Sequence, residues 1–530
     1  MRALAALAFA AALLFPPTVF AQVTPAVSIQ IAILQGDLEA VRQHIDAGSD
    51  LDAKDAYGSS PLTLAATFGK AGIARALIGA GADMAVTDPQ GSSPLHIASF
   101  FGHADIVEAL LAKGADRYAR NLDGSTAFDI AATPFTDDTP IYDQIGKALA
   151  PLGLVLDYQA IATSRQPIAD LLRPDPAAFS VVEFKPAERD DWAVASPAQT
   201  GLDDRLLAEL VFDASHLKNL WGLVVIKDGK LIAESYFHQG SIDQLSTRHS
   251  ITKSVLSALY GIARGQGCMP DLDRKMVEFF PELADQISDP RKAEISIRQM
   301  LQMGGGYPME ILSVEHNDQL FYSGNWDWTP YLVDFPLLAD PGAKFQYSNL
   351  TSQLLAIILA RSCDTDLKPF AEKFLFSPIG AELGNWSAGR DGYRMGWGEI
   401  SITARDMAKF GLLYLNGGTH EGVQVLAADW INESLQAYFK DVWITPKAGR
   451  YFRDIGYGYQ WWSARAGEHR FDYGWGHGGQ LIVLLHDLDM VIVTTADPQL
   501  ELDPIRDLGW ERELAIINVV GKFIASLPKN

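Results

Sequence analysis

"TRHSITKSVLSALYGIARGQG" (Thr247–Gly267) sets Ser250 and Lys253 at the head of an apolar run patterned as a long helix. How this Ser-x-x-Lys quartet is read decides the fold and the chemistry together. Residues three apart on a helix lie on one face, one turn from each other. A serine in the first turn sits among backbone N–H groups without helical partners, at the positive end of the helix, where developing negative charge is favoured. A lysine buried beside it can lose its proton, because desolvation disfavours the ammonium, and can then take the serine's. The quartet alone is cheap, since Ser215-His-Leu-Lys218 and Ser526-Leu-Pro-Lys529 also match. Those two read most simply as solvated side chains, one ahead of the opening strand and one in the C-terminal tail.

Two further stretches give Ser250 a context. "PGAKFQYSNLTSQLLAIILAR" (Pro341–Arg361) sets Tyr347-Ser348-Asn349 between a Pro-Gly turn and an apolar helix. A tyrosine there can shuttle protons, and an asparagine amide can hold a substrate carbonyl. Tyr414-Leu-Asn416 matches the same pattern, but it ends a helix before Gly417 and reads as a cap. "WGHGGQLIVLL" (Trp475–Leu485) puts His477, Gly478 and Gly479 at the mouth of a strand, where glycines let a substrate backbone come close.

Taken in this order, the three elements resemble the serine β-lactamase and penicillin-binding protein superfamily, in which Ser-x-x-Lys leads the set. The Tyr-Ser-Asn form is similar to the class C β-lactamase, D-aminopeptidase and esterase branch, which includes the 6-aminohexanoate-dimer hydrolases. "ISIRQMLQMGGGY", "SITARDMAKFGLLYLNGG" and "GYGYQWW" are similar to connecting segments of that branch. The resemblance implies Ser250 as acylated nucleophile, Lys253 as its base and Tyr347 as proton relay to the leaving group. It implies Asn349, His477, Gly478 and Gly479 as substrate-binding residues. The backbone N–H of Gln480, with that of Ser250, would form the oxyanion hole. No metal and no cofactor is implied.

The chain has 530 residues, too many for one core. Its formal charge of −22, without a basic run, argues against nucleic acid. "MRALAALAFAAALLFPPTVFAQ" has a basic start, an apolar run stopped by two prolines, and small residues Val19 and Ala21 before Gln22. That pattern predicts a cleavable export signal over residues 1–21, too short for a membrane span, and a periplasmic or secreted protein. Cys268 and Cys363 are the two cysteines; each follows a predicted helix, and in an oxidising compartment they can pair.

Residues 22–153 repeat. "GSSPLTLAA", "GSSPLHIAS" and "GSTAFDIAA" begin at Gly58, Gly91 and Gly124, with steps of 91 − 58 = 33 and 124 − 91 = 33. "GSD", "GAD" and "GAD" at Gly48, Gly81 and Gly114 keep the same period. This resembles the ankyrin repeat, an all-α solenoid whose units bury their apolar faces only against their neighbours. Residues 154–188, rich in proline and charge, read as a linker. All 12 tryptophans lie from Trp192 onward. Residues 189–530 read as one α+β catalytic domain: a hairpin around Asp228-Gly229, helices in the middle, a second hairpin after His477, and a final amphipathic helix. The expected fold is β-lactamase-like, an antiparallel sheet flanked by helices plus a helical subdomain.

The functional expectation is a serine hydrolase acting on a small ester or amide, with a protein partner on the repeats. A β-lactamase or D-amino-acid peptidase is the alternative in kind. An inactive penicillin-binding-like sensor, or an ankyrin binding protein, is the alternative in class. No Gly-x-Ser-x-Gly, His-Glu-x-x-His or P-loop is present, which removes the α/β-hydrolase, zinc protease and nucleotide hydrolase readings.

Overall fold

The structure is a computed structural model describing residues 27–133, 135–179, 185–187, 189, 191–269, 271–308, 329–442, 449–500 and 509–529. The segment expected to be an export signal, residues 1–21, lies outside the described residues. The chain divides into two compact units near Arg173.

The first unit is helical. Helices start at Pro61, Pro94 and Ala127, again 33 apart (94 − 61 and 127 − 94). Ser60, Ser93 and Thr126 cap them, which is why a hydroxyl residue recurs at that register: each covers an N–H that the helix leaves without a partner. Each is followed by a second helix, Ala71–Gly79, Ala104–Ala112 and Phe135–Leu149, and a first pair spans Ile29–Gln35 and Leu38–Asp46. Leu62, Leu77, Leu95, Val107 and Leu110 are fully or almost fully buried in the shared core.

The expected linker, residues 154–188, is corrected in part. Tyr158–Leu172 is a helix of this unit. Its buried residues Ile161, Arg165, Ile168, Ala169 and Leu172 follow helical spacing, and Ile168, Ala169 and Leu172 join the repeat core. Arg165 donates to Ile130 O at 2.9 Å. Pro167 and the flanking charges suggested an irregular segment, but the apolar period outweighs them, because the last repeat would otherwise leave its core face in water.

The second unit is built on one antiparallel sheet. Its strands are β1 (Leu220–Lys227), β2 (Lys230–Tyr236), β7 (Phe439–Lys440), β8 (Arg453–Tyr457), β9 (Trp462–Ala466), β10 (His469–Gly476), β11 (Gln480–Leu485) and β12 (Met490–Ala496). The order across the sheet is β2-β1-β12-β11-β10-β9-β8-β7. Short pairs outside it are β3 (Ser246–Thr247) with β4 (Ser401–Ile402), and β5 (Thr419–His420) with β6 (Val423–Gln424). The β1–β2 turn falls on Asp228 and Gly229, both at positive φ, as that hairpin type requires.

Both faces of the sheet are covered, so β11 and β12 are buried along their whole length. Val224, Ile226, Ile482, Leu484, Val491 and Val493 face a core shared with helices Ile251–Gly265, Asn349–Cys363 and Ala404–Leu415. Leu223, Val225, Leu481, Val483 and Ile492 face the opposite core, shared with helices Asp204–Ser215 and Gly509–Ser526. This is the expected β-lactamase-like arrangement, with the helical region between β3 and β4.

Candidate active site

Two helices bring the first two motifs together. Ser250 stands at the N-cap of Ile251–Gly265, and Asn349 opens Asn349–Cys363. Glycines in β10 let the first helix sit close: a Cβ at Gly476 would lie 2.3 Å from Arg248 O, and one at Gly474 would lie 3.2 Å from Ser254 Oγ. Gln460 ties both helices to the end of a third, Ile297–Leu301. It accepts from Ser254 Oγ through its backbone oxygen at 2.9 Å and from Ser352 Oγ through its side chain at 3.0 Å, and its amide donates to Leu301 O at 2.9 Å.

Lys253 is 1 % exposed. Its Nζ lies 3.0 Å from Ser250 Oγ, 2.7 Å from Asn349 Oδ1 and 2.9 Å from Trp397 O. The Tyr347 ring is beside it, with Nζ 5.0 Å from the ring centroid. That ring stacks on Trp462 at 5.5 Å and meets Tyr457 edge-on at 6.3 Å, so its aromatic wall fixes it in place. Ser250, Lys253, Tyr347 and Asn349 therefore form one cluster. Asn349 was read as a substrate holder; in this structure its side-chain oxygen accepts from the lysine.

His477 reaches the cluster through His249, the residue before Ser250, whose ring meets its own edge-on at 5.7 Å. His249 has φ 46°, and its Nε2 is buried with no hydrogen-bond partner among the described residues. Burial, then the neighbouring His477, Lys253 and Arg248, push its pKa down to about 3, so it stays neutral. Gln480 opens β11 opposite Gly476. Its side-chain amide donates to Ala496 O at 2.7 Å, and its oxygen accepts from Arg248 Nη1 at 3.3 Å.

Gly478 and Gly479 were expected to make room for substrate. They have φ of 85° and 100°, and the space a side chain would take is already filled. A Cβ at Gly478 would lie 2.7 Å from Pro498 Cα, and one at Gly479 would lie 2.2 Å from Ile516 Cδ1. The turn and the close C-terminal helix therefore each call for glycine at these two positions.

Three contributors were not read from the sequence. The Trp397 carbonyl and Gln460 act through atoms that no residue pattern marks, although both lie in loops dense in glycine. Glu513, in the final helix, is 1 % exposed. It accepts from His477 Nδ1 at 2.5 Å, from Gly478 N–H at 2.5 Å and from Trp475 Nε1 at 3.0 Å. An acidic residue on the buried side of an amphipathic helix was the available signal. The other two Ser-x-x-Lys quartets are built differently: Ser215 and Ser526 turn back to their own helices, onto Phe212 O and Phe523 O.

No group of three or more metal-binding side chains occurs among the described residues. The arrangement can carry a proton from the serine hydroxyl to the lysine amine.

The beta-lactamase family pattern matches residues 215–504, more than half of the 530-residue chain, and the ankyrin repeat pattern (three copies) matches residues 29–121. The chain is 25 % identical over 282 residues to 6-aminohexanoate-dimer hydrolase from Paenarthrobacter ureafaciens, covering 51 % of this chain and 70 % of that one. Among solved structures, a penicillin-binding protein homologue from Caulobacter crescentus aligns at TM-score 0.46 and 14 % identity, over 62 % of this chain and 98 % of that one. The octameric penicillin-binding protein homologue from Pyrococcus abyssi aligns at 0.45 and 17 %, over 58 % and 75 %. The chain belongs to the beta-lactamase family, and is a serine hydrolase of ester or amide bonds with ankyrin repeats ahead of its catalytic domain.

Proposed function

We propose that this protein is an exported hydrolase that cleaves small, uncharged esters or amides through an acyl-enzyme on Ser250. The observation that carries the reading is the placement of Lys253 Nζ, 3.0 Å from Ser250 Oγ and held by Asn349 and the Trp397 carbonyl. Ser250 Oγ attacks the substrate carbonyl carbon while its proton passes to the Lys253 amine. The oxyanion is received by the N–H groups of Ser250 and Gln480, worth about 3 kcal/mol each to the transition state. Tyr347 delivers a proton to the leaving oxygen or nitrogen as the carbonyl–leaving-group bond breaks. Water then attacks the acyl ester and gives its proton to the Tyr347 oxygen, and Lys253 returns its proton to Ser250 Oγ as the acyl–oxygen bond breaks and the acid leaves.

The substrate class rests on the third motif. Many β-lactamases and peptidases of this superfamily carry Lys-Thr-Gly or His-Thr-Gly there, and the hydroxyl helps hold a substrate carboxylate. This chain has His477-Gly478-Gly479 and lacks it. A lost hydrogen bond to a charged group costs roughly 1.5–3 kcal/mol, about 10- to 100-fold in affinity. The curated relative's name, 6-aminohexanoate-dimer hydrolase, favours an amide as one substrate; that dimer also ends in a carboxylate, so the preference for uncharged substrates rests on the third motif alone. The repeats act as the partner-binding module.

Labelling with a fluorophosphonate, followed by mass spectrometry, is the test. The adduct is expected on Ser250, and Ser250→Ala is expected to lose both label and turnover of a p-nitrophenyl ester while keeping its fold. Full turnover in Ser250→Ala would end the reading. Absence of label and turnover in the native chain would favour the inactive sensor.

A further inference from the structure

The third motif is backed by a carboxylate. Glu513 comes from the C-terminal helix, is buried, and accepts from His477 Nδ1, from the Gly478 N–H and from Trp475 Nε1. An ionised carboxylate is an acceptor only, and three donors on its two oxygens suit that form. Histidine at this position has a consequence for charge that depends on this neighbour. If the imidazole is neutral, the His477–Glu513 pair carries −1. If it is protonated, the pair carries zero. In neither state is it positive, and a lysine beside the same carboxylate would likewise give zero, so it is the carboxylate that removes the positive charge.

Among the described residues, Arg248 and Lys253 also lie near the motif, and hydrogen bonding does not cancel a charge on either; what Glu513 adds is one negative charge at His477 itself. His249 stays neutral. Arg248 is buried and bound to Ile402 O at 2.7 Å, Gln244 O at 3.0 Å and Gln480 Oε1 at 3.3 Å. Lys253 is occupied by Ser250, Asn349 and Trp397. A substrate carboxylate arriving at His477 therefore meets a negative or neutral pair.

We infer that Glu513 is a specificity-determining residue: it orients His477 through Nδ1 and, by its charge, turns the cleft away from carboxylate-bearing substrates toward neutral acyl compounds. The inference rests on the serine hydrolase reading of the same site. It goes beyond the missing hydroxyl, because it assigns the selectivity to a charge that the motif itself does not contain.

The experiment compares kcat/KM for a cephalosporin reporter, which carries a carboxylate, with kcat/KM for p-nitrophenyl acetate, which does not. In Glu513→Gln the side-chain oxygen still accepts from Gly478, but the charge is gone. The cephalosporin-to-ester ratio is expected to rise about tenfold, since Glu513 itself is buried and its charge is removed directly behind His477. A purely structural role would lower both constants together and leave the ratio unmoved, and an unmoved or falling ratio overturns the inference. If Glu513→Gln does not fold, salt decides on the native chain. A carboxylate repelled at His477 should be turned over better, relative to the ester, as ionic strength rises from about 0.01 to about 0.15 M, and a ratio that stays flat or falls with salt overturns the inference. A native chain that turns over neither substrate overturns the hydrolase reading and this inference with it. An unchanged ratio in an active Glu513→Gln overturns the inference alone.

Discussion

Among the partners of Lys253 Nζ are three oxygens within 3.0 Å, those of Ser250, Asn349 and Trp397. As a free amine the same nitrogen has two N–H bonds and a lone pair. With those bonds on the Asn349 and Trp397 oxygens, the lone pair can turn to Ser250 Oγ. The nitrogen is thus aimed in the form that accepts a proton. Lys253→Ala and Tyr347→Phe should each lower kcat about 10²- to 10⁴-fold, the range for a positioned proton-transfer group. Pre-steady-state kinetics should separate them: the lysine variant slows acylation, and the tyrosine variant slows it most for poor leaving groups. Equal turnover of good and poor leaving groups in Tyr347→Phe would remove the relay role. The residue types at Ser250, Lys253 and Tyr347 were legible because side-chain chemistry is written in the sequence. Trp397 was not, since any residue has a carbonyl.

At the level of elements, one buried ion pair joins three of them. Arg405, in helix Ala404–Leu415, donates to both carboxylate oxygens of Glu234 in β2, at 2.8 and 2.7 Å. It also reaches Asp191 and Ala187 O in the segment ahead of β1. Tyr236 adds a bond to Glu234 at 2.7 Å and the Ala187 N–H another at 3.0 Å. Burial pushes the Glu234 carboxyl up, and the bonds from Arg405, Tyr236 and Ala187 more than offset it, so it titrates below the usual range. A lowered carboxyl stabilises the fold above its unfolded value near ~4.3, and that contribution fades as pH falls through the folded value. Glu234→Gln should cost roughly 1.5–3 kcal/mol at neutral pH, the loss of hydrogen bonds between charged groups, since Arg405 keeps Asp191 as a partner. The cost should shrink toward acid. Urea unfolding of both proteins across that pH range checks it, and a pH-independent difference would count against the ion pair. Both hairpins and the final helix were legible from turn residues and apolar period. Glu234, Arg405 and Glu513 were not placed, because partners 171 positions apart leave no local pattern.

For the whole molecule, the repeat period of 33 and the loss of tryptophan before Trp192 separate two kinds of chain, and two compact units are present. A chain that begins at Lys185 keeps the Ala187 and Asp191 contacts to Arg405. It should retain most of its turnover of p-nitrophenyl acetate. Loss of folding or of activity would mean that the repeats complete the catalytic domain. The boundary was the part least legible in sequence: prolines near 167 suggested a linker, while the apolar spacing of Ile161, Ile168 and Leu172 carried the helix.

The two helices that carry Ser250, Lys253 and Asn349 are also joined at their other ends. Cys268 follows Ile251–Gly265, Cys363 ends Asn349–Cys363, and the two form a disulfide. Midway, Tyr260 donates to Leu355 O at 2.8 Å. A closed circuit results: down one helix from Lys253, across the sulfur bridge, back along the other helix to Asn349, and across to Lys253 again. Such a frame is braced like a truss, and neither member can slide past the other without breaking a bond. Oxidation at one end of the frame thereby becomes a mechanical constraint on the register of the reacting groups at the other.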